Sequence, residues 1–166
     1  MAEMWDLVDK DGNKVGIKWP REDHGKIPDG LYHPCVEVWV KIGDNILLTL
    51  RHPDKSEGGK YDCPGGGVVS GEELIDAAVR ELMEEVGISV NKEEMWLLGA
   101  VGGRRAYAAS YLVCLDSLPK LVLQPTEVVG YRLAGEREIQ EMENQLTVGT
   151  YRRFLLYRHL IFPNES

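Results

Sequence analysis

The sequence predicts an α/β fold in which a mixed β-sheet is sandwiched between helices. Three observations lead there. CVEVWVKI (35–42) and NILLTLR (45–51) are apolar, partly β-branched runs that flank a Gly43-Asp44 turn. Residues 72–87 carry apolar side chains at three- and four-residue spacing, as a helix packed on a core would. Further strand-like runs then precede two helical stretches at the end of the chain.

Residues 4–19, MWDLVDKDGNKVGIKW, read as two short strands around an Asp11-Gly12 turn. The stretch from Pro20 to Pro34 is polar and proline-punctuated, hence a loop; it carries His24 and His33. The pair 35–42 and 45–51 is apolar enough for the middle of a sheet. A loop from His52 to Tyr61 leads into Pro64-Gly65-Gly66-Gly67, read as a flexible run, and a turn at Ser70-Gly71. The helix starts near Glu72. Leu74, Ile75, Ala78, Val79, Leu82 and Val86 make its apolar stripe, and Gly87 stands where a helix C-terminus favours the left-handed conformation. MWLLGAV (95–101) and AYAASYLVCL (106–115) are strands joined by Gly102-Gly103-Arg104-Arg105, and TEVVGYRLA (126–134) is another. A helix begins near Glu136. TYRRFLLYRHLIF (150–162) is a terminal amphipathic helix whose apolar residues pack on the sheet.

A length of 166 residues with no repeat, linker or low-complexity tract predicts one domain spanning 1–166. Net charge is −8, which argues against a polynucleotide partner, because backbone binding needs a basic surface. A small phosphorylated ligand remains allowed. No apolar run is long enough to span a bilayer, and the first ten residues lack the pattern of a secretory signal. Cys35, Cys63 and Cys114 are odd in number and widely spaced, which fits a reducing, cytoplasmic compartment.

The chemistry concentrates on the polar face of the 72–87 helix. Glu81, Glu84 and Glu85 lie at i, i+3 and i+4, so three carboxylates converge within a turn. Like charges so placed repel, and a hard divalent cation turns repulsion into affinity; Mg2+ or Mn2+ is the expected occupant. Glu81 and Glu85, helped by Glu84, are the candidate ligands. Arg80 beside them reaches back to Glu72, eight residues earlier, and a salt bridge there would fix the entrance loop against the carboxylates.

Gly66, five residues, Glu72, seven residues, Arg80-Glu81-Leu82, one residue, Glu84-Glu85, one residue, Gly87-Ile88 match the Nudix box at every defined position. The chain therefore resembles the Nudix hydrolases, with the box at 66–88. The resemblance implies an α/β/α sandwich with the box as loop-helix-loop. It also implies a divalent-metal-dependent hydrolase that cuts the diphosphate bond of a nucleoside diphosphate linked to another moiety. Glu84, Glu81 and Arg80 are then the catalytic candidates, with Glu72 and Gly87 structural. Family members differ in where the general base comes from, and Glu84, Glu81 and Glu127 are the candidates here; Glu127 reads first as an exposed carboxylate at a strand start. Many members are dimers, so a homodimer is allowed.

Candidate substrate contacts are Gly66, whose missing Cβ permits close approach of a phosphate, together with Arg51, Arg104 and Arg105, each of which taken singly reads first as a solvated surface residue. Trp39, Trp96 and Tyr107 stand in strands, where aromatics fill cores; stacking on a base is the alternative.

Weaker similarities run along the chain. Asp6-x-Val8-Asp9-x-x-Gly12, Arg21-x-x-His24 and Glu127-Val-Val-Gly-Tyr-Arg132 resemble the isopentenyl diphosphate isomerase-like branch. In those isomerases a cysteine and a histidine act from the Gly-rich loop, at positions that here are Gly65 and Gly67, with Cys63 two residues away. The isomerases also depart from the box at its arginine-glutamate core, which this chain keeps. Hydrolysis is favoured over isomerisation, and the intact box speaks against a non-catalytic nucleotide-binding module.

Overall fold

The computed structural model describes residues 2–164. A hairpin, β1 (Met4–Val8) and β2 (Lys14–Pro20), opens the chain as a two-stranded sheet of its own. The main sheet contains β3 (His33–Ile42), β4 (Asn45–Arg51), β5 (Tyr61–Asp62), β6 (Gly65–Gly67), β7 (Trp96–Gly102), β8 (Ala106–Leu115) and β9 (Val128–Gly135). Three helices complete the fold: α1 (Leu74–Val86), α2 (Glu136–Glu141) and α3 (Val148–Ile161).

The sheet is mixed, as the sequence predicts. β3 runs parallel to β8 from His33 opposite Ala106 to Ile42 opposite Leu115, whereas β4–β9, β7–β8 and β3–β6 are antiparallel. The two-residue period of β3 builds both layers. Val36, Val38 and Val40 meet Ala77, Ala78, Leu82 and Val86 of α1 on one face. On the other, Trp39 joins Ile46 and Leu48 against Ile139 of α2 and Phe154, Tyr157 and Ile161 of α3. An α/β/α sandwich results.

Four local features differ from expectation. The glycine run is a strand, β6, paired with β3 through Cys35–Gly67, Val36–Gly66 and Glu37–Gly65. Its glycines serve close packing, because a Cβ on Gly65 would lie 2.1 Å from the Val36 carbonyl oxygen. The 20–34 loop contains a 3-10 turn at Arg21–Lys26. α1 starts at Leu74, leaving Glu72 in the extended entrance, while Gly87 closes the helix at φ 73 as expected. α3 buries only a narrow stripe, Thr150, Phe154, Tyr157 and Ile161, and leaves Leu155, Leu156 and Leu160 exposed. Among the described residues no helix is long and apolar enough to cross a membrane.

Candidate active site

The polar face of α1 lies beneath β6 and forms one wall of a cleft of ≈ 240 Å³. Arg80 organises it. Its Nε donates to Glu72 Oε1 at 2.7 Å, and Nη2 donates to Glu72 Oε2 at 2.9 Å and to the Gly67 carbonyl at 3.1 Å. Its Nη1 donates to Glu81 Oε1 at 2.9 Å and to Glu84 Oε2 at 3.2 Å. The salt bridge read from the sequence thus exists, and one guanidinium ties the entrance loop, the glycine strand and two box carboxylates together. Hydrogen bonding to Arg80 lowers the Glu72 pKa.

Gly66 packs against Glu81: a Cβ there would sit 2.4 Å from Glu81 Oε1. The space above the glycine holds that carboxylate, which is the closest approach its missing side chain allows. Glu85 is only 7% exposed and among the described residues its carboxylate receives a single long contact, the Gly65 amide donating to Oε2 at 3.4 Å. The sequence puts both carboxylates on an exposed helix face. The structure corrects this, because β6 covers that face: burial raises the Glu81 pKa and, with the Asp62 carboxylate as the next cause, pushes Glu85 up to about 8. Glu84 keeps a half-exposed side chain at the rim.

Other lining residues come from elements the box does not contain. Glu127, just before β9, lines the cleft and is ion-paired with Lys55, so it is not the solvated strand-start carboxylate the sequence suggests. Glu3 and Gln124 also line it. No sequence signal marks Lys55, Glu3 or Gln124, since each arrives from a separate loop or terminus. The three candidate arginines lie elsewhere. Arg51 is held by Asp62 at 2.7 Å and by the Ser56 carbonyl, and Arg104 and Arg105 line a neighbouring cleft. Trp39 is core, Trp96 is 70% exposed at the sheet edge, and the Tyr107 hydroxyl donates to the Asp11 carbonyl. His33 stacks on Trp5, with ring centroids 4.1 Å apart.

The donor set fits a hard divalent cation such as Mg2+ or Mn2+. The charged acceptors around β6 are carboxylates, and Glu85 in particular is a buried acid whose negative form lacks a close compensating partner. Among the described residues no three Asp, Glu, His or Cys side chains are already arranged as a cage.

A family model described as NUDIX domain matches residues 31–154. Over 95 residues the chain is 38% identical to Nudix hydrolase 3 of Arabidopsis thaliana, covering 55% of this chain and 12% of that protein. Over 58 residues it is 40% identical to an RNA pyrophosphohydrolase of Novosphingobium aromaticivorans, covering 35% and 36%. The chain thus spans well under two thirds of the length of these curated relatives. Among solved structures, a Deinococcus radiodurans protein superposes with a TM-score of 0.76 at 18% identity, covering 93% of this chain and 99% of that one. A bifunctional NMN adenylyltransferase/ADP ribose pyrophosphatase of Francisella tularensis, complexed with AMP and a manganese ion, does so at 0.65 and 19%, covering 78% and 42%. These likenesses carry the fold, and the family match takes in β3, the complete box and the first half of α3: the chain belongs to the Nudix family.

Proposed function

We propose that the chain hydrolyses the diphosphate bond of a nucleoside diphosphate linked to another moiety, with Mg2+ or Mn2+ as its cofactor. The observation that carries this reading is the cleft itself, which Glu81, Glu84 and Glu85 line together with Glu127, Lys55 and the β6 glycines. Relatives named for pyrophosphate-bond hydrolysis support it, as does a manganese ion in a structural neighbour.

Glu81 and Glu85, with Glu84, would hold the cation, which when bound neutralises phosphate charge and acidifies water. Arg80 acts as the positioning residue, since it touches three carboxylates at once. Glu84 is the proposed general base: it is more exposed than Glu81 and Glu85, and among the described residues one of its oxygens is engaged, by Arg80. Glu127 is the second candidate, held back by its ion pair with Lys55.

The isomerase reading has less support. Cys63 is 5% exposed in the core beneath α3, and burial holds its thiol well above the ordinary range, which suits neither proton transfer nor nucleophilic attack. Cys63→Ala is therefore expected to leave hydrolysis within about twofold. The test is phosphate release, with and without added phosphatase, from Mg2+ incubations with ADP-ribose, NADH, nucleotide sugars, dinucleoside polyphosphates and prenyl diphosphates. Release from one nucleotide class, reduced at least about a hundredfold in Glu81→Gln and Glu85→Gln, is expected. Equal activity in both variants and wild type would sink the assignment.

A further inference from the structure

We propose that the cleft between the β7–β8 turn and the first turn of α3 is a second anion subsite, taking a phosphate group of the substrate other than the diphosphate that is cut. This rests on the hydrolase reading above.

The first observation is which arginines are ion-paired. Of the chain's ten arginines, seven have a carboxylate partner: Arg21, Arg51, Arg80, Arg132, Arg137, Arg153 and Arg158. The three with none among the described residues are Arg104, Arg105 and Arg152, and all three line this one cleft of ≈ 670 Å³. In a chain of net charge −8, three unpaired guanidinium groups in one concavity oppose one another unless an anion joins them.

The second observation is Arg153, which lines the same cleft and is aimed. Its Nε donates at 2.8 Å to Oε2 of Glu37, a carboxylate 5% exposed that also accepts from Trp39 Nε1 and Ser110 Oγ. Neither Nη of Arg153 has a recorded acceptor among the described residues, and both lie 3.0 to 3.2 Å from where a Cβ on Gly149 would be. A guanidinium fastened through Nε presents its two Nη groups as a fork, the geometry that receives phosphate in bidentate fashion. The one carboxylate lining the cleft among the described residues, Glu57, is engaged by the Val148 amide at 3.0 Å.

The third observation is continuity. Glu57, Gly149 and Arg153 also line an adjoining space, which shares Lys55, Gly65 and Gly66 with the carboxylate cleft. A substrate bound at the carboxylates therefore has a lined path to the arginines. The chemistry recognised is a further phosphate, either later in a polyphosphate chain or on the far moiety.

The test uses Arg104→Ala/Arg152→Ala, because both side chains are exposed and their loss should not unfold the protein, whereas removing Arg153 would strand the buried Glu37. Inorganic tripolyphosphate is titrated calorimetrically in EDTA, where the carboxylate cleft repels polyanions. Wild type is expected to bind and the double variant to lose on the order of tenfold or more. No binding by wild type, or equal binding by both, overturns the subsite. With Mg2+, the variant should raise KM for diadenosine tetraphosphate if the further phosphate belongs to the chain. It should do so for NADPH if that phosphate is on the far moiety, in either case sparing NADH. An equal loss on NADH overturns the proposal. Binding in EDTA without turnover of any substrate by wild type retains the subsite and rejects the hydrolase reading.

Discussion

Glu85, a proposed metal ligand, is a carboxylate that burial disfavours in the metal-free fold. Buried with one long amide contact, its carboxylate is poorly solvated, and Gln has the same shape without the charge. Glu85→Gln should therefore keep or raise the melting temperature of the metal-free protein while turnover falls at least about a hundredfold; a lowered melting temperature would show that the carboxylate is structural. His33 makes a pH-dependent prediction away from the carboxylates. Burial lowers its pKa from 6.5 to about 4, and its buried Nδ1 has no partner among the described residues. The unfolded chain then binds the proton first, so His33 favours the fold above pH 6.5, and that contribution is lost as pH falls toward 4. Thermal melts of wild type and His33→Gln across that window should converge as the pH drops. Parallel curves would exclude the histidine as the cause.

At the scale of the element, β6 and α1 act as a unit, and two adjacent glycines separate its two duties. A Cβ on Gly65 would meet Val36 backbone at 2.1 Å, which cannot yield without parting β6 from β3. Gly65→Ala should cost about 3 kcal/mol in denaturant unfolding. A Cβ on Gly66 would meet the end of a flexible side chain, Glu81, at 2.4 Å. Gly66→Ala should spare most of the stability and lower turnover by about a hundredfold, since misplacing a catalytic group by about 1 Å has that effect. Similar profiles for the two variants would refute this division. The helix and its cap are legible because apolar spacing and Gly87 are local signals. The strand is not, because three glycines carry no side-chain alternation, and their pairing is set by β3, some thirty residues earlier in sequence.

The whole molecule assembles the cleft from parts that are distant in sequence: α1, the loop carrying Lys55, the approach to β9 with Glu127, and Glu3 ahead of the first hairpin. A cation that binds only this folded arrangement stabilises it by mass action, about 2.7 kcal/mol at a hundred times Kd. Mg2+ or Mn2+ should accordingly raise the melting temperature of wild type, EDTA should reverse the rise, and Glu81→Gln/Glu85→Gln should abolish it. A rise that persists in the double variant would place the ion elsewhere.

The sequence by itself determined the family box, the mixed α/β sandwich and the Arg80–Glu72 pairing, because each depends on spacing along a helix or alternation along a strand. Tertiary structure alone decided that Glu81 and Glu85 are covered rather than exposed, and that Glu127 lines the same cleft. It also decided that Arg51 is spent on Asp62, and that Arg104 and Arg105 meet Arg152 and Arg153 from the far end of the chain. Burial and the pairing of charges are properties of surfaces brought together by the sheet, and no local pattern records which distant residue will arrive.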